Sequence, residues 1–186
     1  MSIKEILKTA KQELSELEIP TVDAELMLAH VLGTSRMDLH AREFLLTPEQ
    51  QELFQEMVQA RKSGTPTQYL TGEAPFRYLT FSVGSGVLIP RPETELLVDA
   101  ALVEIERIQS APNLSSVADV SIVDLGAGSG AIAISIAHEA TQRKMPVHIV
   151  AVEKSTSAVD WLKKNISRHE VDVRVIHDDV SNALQG

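Results

Sequence analysis

The sequence contains no cysteine among its 186 residues. This absence excludes disulfide bonds, zinc–thiolate sites and cysteine nucleophiles. No apolar run approaches the roughly 20 residues that a membrane-spanning helix requires, and no segment resembles a signal peptide. We therefore expect a cytoplasmic protein that has neither a membrane partner nor a bound metal.

Positive charge is also scarce, because 17 Lys and Arg residues stand against 26 Asp and Glu residues and give a formal net charge of -9. Binding to nucleic acid depends mainly on contacts between Lys or Arg and phosphate, so this composition disfavours such a partner. A protein or small-molecule substrate is expected instead. The length allows one domain and part of a second, and a hydrophobic content of 44% is enough for a core.

The stretch from Ser121 to Ile134 combines a short apolar run, three glycines and a second apolar run. This order predicts a strand, a tight turn and a helix, with a ligand at the carboxyl end of the first strand of an open α/β sheet. Glycine lets the backbone adopt positive φ and approach a ligand closely, and the helix start offers N–H groups and a partial positive charge. The residues of the turn are Gly126, Ala127, Gly128, Ser129 and Gly130.

The glycines alone do not identify the ligand, because residues 126–131 also fit the dinucleotide fingerprint GxGxxG/A. Asp124 would repel the pyrophosphate of a dinucleotide, whereas it would attract the ammonium and sulfonium groups of S-adenosylmethionine. Glu153 ends the next apolar run, where it can accept hydrogen bonds from ribose hydroxyls. We therefore expect an S-adenosylmethionine site. A βα turn without a ligand and an NAD(P) site are the alternatives.

Residues 2–62 carry apolar side chains at helical spacing and are expected to form a small helical domain. Ser2 and Glu5 make a capping box at the start of the first helix, and Gly33 is a suitable residue to end the second. Thr47 to Gln50 predict another helix start, because Thr47 can cap the helix, a proline occupies the first helical position and the Gln50 side chain can accept the backbone N–H of Thr47.

After Thr65 the pattern becomes that of a connector punctuated by proline and glycine. Residues 76–83 have a strand-like composition, and 84–86 are expected to turn the chain into a second strand at 87–89, which gives a β-hairpin. A stiff charged segment follows and leads into a helix over 96–108. We expect this segment to form one wall of the substrate site, through Arg91, Pro92, Glu93 and Glu95. An exposed helix start is the alternative interpretation.

The last part of the chain is expected to alternate strands and helices after a loop at 110–119. The expected elements are a strand at 121–125, a helix at 131–143, a strand at 147–153, a helix at 156–167 and a strand at 171–177. This pattern implies parallel strands joined by right-handed crossovers in the spatial order 3-2-1. Asp179 follows the third strand at the same edge, where it is expected to accept a hydrogen bond from an adenine amino group.

The fold class is thus α/β, with a small N-terminal helical bundle and the first half of a Rossmann-like domain. We expect a helical substrate-recognition domain at 1–72, a β-hairpin with a linking helix and loop at 73–118, and a partial S-adenosylmethionine-binding domain at 119–186.

Four segments together resemble the bacterial N5-glutamine methyltransferases that modify peptide chain release factors. They are Pro66 to Gly72 (PTQYLTG), Val87 to Glu95 (VLIPRPETE), Asp124 to Ala133 (DLGAGSGAIA) and Glu153 to Ala158 (EKSTSA). Most class I methyltransferases share the glycine segment, so the second segment discriminates best. The order of the parts also matches that of the family, and the resemblance spans essentially the whole chain.

The resemblance implies transfer of a methyl group from S-adenosylmethionine to the side-chain amide nitrogen of a protein glutamine, that of the GGQ motif of release factors. It implies that the five turn residues hold the methionine part of the cofactor and that Glu153 holds the ribose. Asp179 and Val180 would flank the adenine. The helical domain would help to receive the release factor, without direct contact to nucleic acid.

The sequence departs from the family in three places. Glu153 stands where members more often have Asp, and Val180 stands where many have Trp, which puts stacking on the adenine in doubt. The catalytic Asn-Pro-Pro-Tyr segment, which orients the weakly nucleophilic amide, occurs nowhere in the sequence. No catalytic residue is therefore assigned, and we expect a C-terminally truncated family protein that is inactive alone.

Two alternatives to a release factor methyltransferase stay open from the sequence. A glutamine methyltransferase that acts on a ribosomal protein shares the same motifs. A fragment of an NAD(P)-dependent oxidoreductase also fits the glycine pattern. A nucleic-acid adenine methyltransferase is disfavoured by the negative net charge of -9 and by the segment at 87–95.

Overall fold

The structure, a computed structural model, describes residues 2–111 and 120–183. The chain divides into two compact units, Met1–Gly72 and Glu73–Gly186. The loop expected at 110–119 lies outside the described residues from 112 onward. Within the described ranges, none of the helices is both long enough and apolar enough to cross a membrane.

The first unit is entirely helical in the residues described, as expected for this part of the chain. Leu14, Met27, Leu28 and Phe54 are fully or almost fully buried and form the centre of its core. The helices are α1 (Ile3–Ser15), α2 (Val22–Leu32), α3 (Asp38–Ala41), α4 (Pro48–Lys62) and α5 (Thr67–Thr71).

Both expected capping boxes are confirmed. The Ser2 side chain accepts the N–H of Glu5, the Thr47 side chain accepts the N–H of Gln50, and the Glu5 and Gln50 side chains accept the amides of the two cap residues. Gly33 ends α2 with a φ of +62°. The short helix α5 was not expected, because Pro66 marks a connector in the sequence, although a proline is also compatible with the start of a helix.

The second unit contains a parallel sheet of three strands, β3 (Val120–Leu125), β4 (Val147–Glu153) and β5 (Arg174–His177), which lie side by side in that order and confirm the expected order and direction. The bounds of β4 are those expected from the sequence, whereas β5 begins three residues later than expected and the short helix after it was not expected. The elements are β1 (Glu73–Phe76), β2 (Leu79–Ser82), a 3-10 turn (Pro92–Thr94), α6 (Glu95–Gln109), β3 (Val120–Leu125), α7 (Ala131–Gln142), β4 (Val147–Glu153), α8 (Thr156–His169), β5 (Arg174–His177) and α9 (Val180–Ala183). The expected α/β fold class is confirmed.

The β-hairpin exists, but its expected position was wrong. Phe76 of β1 pairs with Leu79 of β2, so the turn is Arg77-Tyr78, and Arg77 adopts a φ of +51°. The sequence was misleading because Pro75 looks like a strand breaker, whereas a proline is tolerated at the edge of a sheet.

The glycines expected at the hairpin turn instead pack against α8. A Cβ atom on Gly84 would lie 2.5 Å from the Trp161 ring, and one on Gly86 would lie 2.6 Å from the Ser157 hydroxyl. The Trp161 indole N–H also donates to the carbonyl of Ser85 at 3.2 Å. The segment after the hairpin is therefore held on the N-terminal half of α8.

Candidate functional site

The carboxyl ends of the three parallel strands meet at one edge of the sheet. Leu125 of β3 pairs with Val152 of β4, and Glu153 of β4 pairs with His177 of β5. This register places the turn after β3, the residue Glu153 and the residues after β5 along the same edge, which is where open α/β sheets bind ligands.

The glycine loop, residues 126–130, is held in a conformation that requires its glycines. Gly126, Gly128 and Gly130 have φ values of +77°, +57° and +84°. No atom lies within 4 Å of the position that a Cβ on Gly126 would take, whereas a Cβ on Gly130 would lie 2.5 Å from Leu162 of α8. The first glycine is therefore open to a ligand, and the third allows the loop to pack on a helix.

The loop amides are mostly engaged within the protein. The N–H groups of Gly126 and Ala127 both donate to the carbonyl of Val152, at 2.8 and 3.0 Å, and that of Gly130 donates to Ala127 at 2.8 Å. Ala127 and Ser129 are buried. The sequence predicted unpaired N–H groups at the start of the helix, and the structure shows that the loop before this helix is itself fastened to the end of β4.

Glu153 links the glycine loop to the start of α8. Its Oε2 accepts the N–H of Gly128 at 2.9 Å, and its Oε1 accepts the N–H of Ser155 at 2.8 Å. Each carboxylate oxygen has a second acceptor position, so Glu153 can also accept two ribose hydroxyls without releasing these amides. The structure thus places the carboxylate expected to bind the ribose directly against the glycine loop.

Asp124 is buried under the loop, and its Oδ2 accepts the N–H of Ala133 in α7 at 3.1 Å. Burial raises the pKa of this carboxyl group, the Ala133 N–H opposes the rise, and the negative charge of Glu153 adds to it. A cationic ligand at this edge would compensate for the cost of an ionised and buried Asp124. The burial and the helix contact also fit a purely structural role.

Asp179 and Val180 lie where β5 passes into α9. The Oδ2 of Asp179 accepts from the Lys154 ammonium at 2.9 Å, and its Oδ1 accepts the N–H and hydroxyl of Ser181 at 2.9 and 2.7 Å. Lys154 first, and then the Ser181 amide, hold the pKa of Asp179 far below its ordinary value. An adenine amino group would therefore compete with Lys154 for this carboxylate. Val180 is half-buried.

The four residues expected to form a wall differ in their surroundings. Arg91, Pro92 and Glu93 are exposed, and the Arg91 guanidinium lies 3.9 Å from the Glu93 carboxylate. Glu95 is half-buried, and its carboxylate accepts the N–H of Arg77 at 2.9 Å. Glu95 therefore fastens the hairpin turn, and the roles of the other three residues remain predictions.

Val87, in the segment 87–95, lies near the glycine loop. This residue is buried, and its Cγ2 lies 4.0 Å from the position that a Cβ on Gly128 would take. Val87 belongs to the segment 87–95 that resembles the methyltransferases, whereas the site wall was expected from residues 91–95 of that segment.

Asn165 was not predicted from the sequence to have a role at the site. It is fully buried in α8, its Oδ1 accepts the N–H of Ser82 at 2.7 Å, and its amide nitrogen donates to the carbonyls of Ser82 and Ser129 at 3.0 Å each. It thereby joins the hairpin, α8 and the glycine loop. Its signal was a polar residue on the apolar stripe formed by Ala158 and Leu162.

Arg77 was also missed. Its side chain is buried at the hairpin turn and donates to Glu139 of α7 at 2.9 Å and to Asp99 of α6 at 2.8 Å. The Glu139 carboxylate, itself buried, is the main reason that the pKa of Arg77 is raised above its ordinary value. An arginine inside an apolar run was the signal available in the sequence.

In the described ranges, no group of three His, Asp or Glu side chains converges so as to hold a metal ion. The edge of the sheet is therefore characterised by separate carboxylates beside a glycine loop, an arrangement that suits a ligand with hydroxyl and cationic groups.

Two family models match the chain. The PrmC N-terminal domain matches residues 5–72, and the methyltransferase small domain matches residues 109–186. These two regions cover the helical unit and the glycine loop with its sheet.

Curated relatives match most of the chain. A release factor glutamine methyltransferase of Chlorobaculum tepidum is 40% identical over 94% of this chain and 58% of its own length. Proteins of the same name from Bifidobacterium longum and Shewanella oneidensis are 38% and 35% identical, over 90% and 98% of this chain and 55% and 60% of their own lengths. The chain thus spans less than two thirds of the length of these relatives.

Among solved structures, coclaurine N-methyltransferase bound to N-methylheliamine and SAH aligns with a TM-score of 0.33 at 18% identity, over 96% of this chain and 49% of that one. A TM-score of this size does not establish a common fold.

Proposed function

The chain belongs to the family of release factor glutamine methyltransferases, and from that premise we propose that it binds S-adenosylmethionine at the glycine loop. The observation that carries this proposal is the position of the Glu153 carboxylate. It is hydrogen-bonded to the Gly128 amide beside the open face of Gly126 and retains acceptor capacity for ribose hydroxyls.

In the proposed complex, the residues along the edge would contact the parts of the cofactor in order. The methionine part would lie along Gly126 to Gly130, with its ammonium and sulfonium near the buried Asp124. The ribose would bind Glu153, and the adenine would lie beside Asp179 and Val180. Since Lys154 occupies one oxygen of Asp179, the adenine contact requires that ion pair to shift or to share the carboxylate.

The proposed reaction is methylation of the side-chain amide nitrogen of a protein glutamine, that of the GGQ motif of release factors. When bound, S-adenosylmethionine supplies an electrophilic methyl group. The residues of this chain would bind and orient it, and the segment from Arg91 to Glu95 would line the entry of the substrate amide. We assign no catalytic residue within the 186 residues.

The proposed partner is a release factor, with the helical unit contributing to its recognition, and the proposed location is the cytoplasm, where translation factors act. The names of the relatives support a release factor over a ribosomal protein. Biolayer interferometry on the immobilised chain with S-adenosylhomocysteine present would separate the two. We expect a class 1 release factor to bind, whereas preferential binding of a ribosomal protein would reverse the assignment.

The test of the cofactor is calorimetric titration of the chain with S-adenosylhomocysteine and, separately, with NADH. We expect S-adenosylhomocysteine to bind in a one-to-one ratio and NADH to give no heat of binding, because the carboxylates at the edge repel a pyrophosphate. Binding of NADH without binding of S-adenosylhomocysteine would support the oxidoreductase alternative and exclude the proposal.

A further inference from the structure

A groove on the surface of the first unit has an apolar floor and a cationic rim. It consists of two cavities that share Lys4 and Leu39, with α1 on one side and α3 with the residues that follow it on the other. We name this feature the α1–α3 groove. Its apolar lining residues are Ile3, Leu7, Leu39, Phe44 and Leu45.

The rim carries several cations, of which Arg42 pairs with Asp38 at 3.4 Å and Lys11 pairs with Glu25. Lys4, Lys8 and Lys11 follow one another along the groove wall of α1, with His40 and Arg42 on the opposite wall. Lys4 and Lys8 are exposed, and no anionic partner of either is found in the described part of the chain. This contrasts with the formal net charge of -9 of the whole chain.

A single carboxylate serves several of the other cations. Glu25 binds the Lys11 ammonium, and its oxygens also lie 3.4 Å from the Arg36 guanidinium and 3.4 Å from the His40 ring. The hydrogen bond from Lys11 is the main reason that the pKa of Glu25 is lowered. One negative charge therefore faces Lys11, Arg36 and, when it is protonated, His40.

The groove also exposes a large apolar side chain. Leu45, at one end of the groove, is 92% exposed. Three carboxylates lie near the groove. Glu5 is turned onto the Ser2 amide at 2.8 Å, Asp38 pairs with Arg42 at 3.4 Å, and Glu43 is the one acidic residue found in the lining that the structure describes. None of them pairs with Lys4 or Lys8 in the described residues.

We propose that the α1–α3 groove docks an acidic segment of a partner protein, one that presents a large apolar side chain between carboxylates. The apolar side chain would lie on Leu39 and Leu45, and the flanking carboxylates would pair with Lys4 and Lys8. The proposal concerns the first unit alone and does not rest on the cofactor assignment.

The charge pattern favours such a peptide over a nucleic acid. A phosphate backbone requires a row of cations, and its affinity rises with each neutralised phosphate. Here two exposed lysines without partners stand beside an apolar floor, which offers nothing to a phosphate. Carboxylates that alternate with leucine or phenylalanine match both features of the groove.

The probe is a fluorescein-labelled peptide with two adjacent leucines flanked on each side by two glutamates, followed by fluorescence polarisation with the full chain. We expect saturable binding that weakens as salt is added, because exposed ion pairs are screened. A peptide with lysines in place of the glutamates should not bind. Equal binding of the two peptides would overturn the proposal.

Two groove variants and two matched controls test the location. Lys4→Glu/Lys8→Glu should weaken binding by about tenfold at low salt, and Leu45→Ser should weaken it by about threefold without changing its dependence on salt. Lys144→Glu/Lys163→Glu changes the net charge equally on exposed lysines of the second unit, and Leu17→Ser removes an exposed leucine outside the groove. Both controls should bind as the parent does.

Three results would contradict the proposal. The first is a groove variant that binds the peptide as tightly as the parent does, or a control variant that loses as much affinity for the peptide as the groove variant. The second is displacement of the peptide by a single-stranded RNA of equal charge that binds more tightly. The third is concentration-dependent self-association, seen by light scattering and abolished by Lys4→Glu/Lys8→Glu, which would make a second copy of the chain the occupant.

Discussion

Asp124 and Glu153 are two carboxylates at the same edge of the sheet with different surroundings. Glu153 is half-buried and accepts two backbone amides, whereas Asp124 is buried and accepts one. Glu153 is therefore available to further hydrogen-bond donors, whereas Asp124 carries an uncompensated cost of burying a carboxylate. Their separate roles lead to separate predictions.

Replacing Glu153 with Gln removes the charge and keeps one carbonyl oxygen that can accept a backbone amide. We expect the affinity for S-adenosylhomocysteine to fall by about tenfold, since a charge-assisted hydrogen bond contributes about 1.5–3 kcal/mol. Calorimetry measures the loss, and Asp160→Asn on the exposed face of α8 is the control. Unchanged affinity in Glu153→Gln would exclude a ribose contact at this residue.

Replacing Asp124 with Asn should stabilise the fold at neutral pH and weaken S-adenosylmethionine binding. The pKa of Asp124 in the folded protein is raised above the ordinary 3.8, so the folded state holds this proton more tightly than the unfolded chain does. Its contribution to the free energy of unfolding is therefore fully present below pH 3.8 and is lost as the pH rises through the folded pKa. The Asn side chain avoids this loss and can still accept the Ala133 N–H.

Urea denaturation at several pH values, together with calorimetry, tests this prediction. The stability gain of Asp124→Asn should be present at pH 7 and should disappear near the ordinary pKa of 3.8. If the variant were less stable at pH 7 and bound the cofactor equally well, Asp124 would be a structural cap of α7 and no part of the site.

The sequence identified Asp124 and Glu153 because each stands at a fixed place in a local pattern, at the end of a strand and beside a glycine turn. Arg77 and Asn165 escaped because their partners are remote. Arg77 pairs with Glu139, 62 positions away, and Asn165 pairs with Ser82, 83 positions away. No local pattern reveals that two such side chains meet inside the fold.

At the scale of the elements, Arg77 fastens the hairpin to both α6 and α7. Its guanidinium donates to Glu139, Asp99 and the carbonyl of Glu95, and its own N–H donates to the Glu95 carboxylate. Glu139 receives a further contact from Arg143 at 3.3 Å. The hairpin turn is therefore held by charge on two helices rather than by apolar contacts alone.

Arg77→Met should lower the free energy of unfolding by about 3 kcal/mol, because it leaves the buried carboxylate of Glu139 without its main partner. Adding Glu139→Leu should restore much of this loss, since the unpaired charge is removed as well. Urea denaturation of the two single variants and the double variant measures the coupling. Additive losses in the double variant would show that the two residues act independently.

Local sequence signals predict most of the helices and strands correctly, whereas the position of the hairpin was predicted wrongly. Capping boxes fixed the starts of α1 and α4, and a continuous apolar run fixed β4. Residues 84–86 do not form the hairpin turn but pack against Trp161 and Ser157. These two residues lie in α8, far along the sequence. Composition alone favoured the glycines as the turn.

At the scale of the whole molecule, two separate family models match residues 5–72, in the first unit, and residues 109–186, in the second. The second unit exposes apolar side chains on β3 and α6, among them Val123 and Leu96, and such surface favours association. Solution measurements on the chain therefore include a light-scattering check that it is monomeric at the concentration used.

The most direct test of cofactor binding at the glycine loop is an NMR titration of the ¹⁵N-labelled chain with S-adenosylhomocysteine. We predict that amide shifts change at residues 126–130, at Glu153 to Ser155 and at Asp179 to Ser181, while the amides of α1 to α5 stay unchanged. A saturable titration with no shift at the glycine loop or Glu153, or with its shifts in the helical unit, would contradict the assignment of the site.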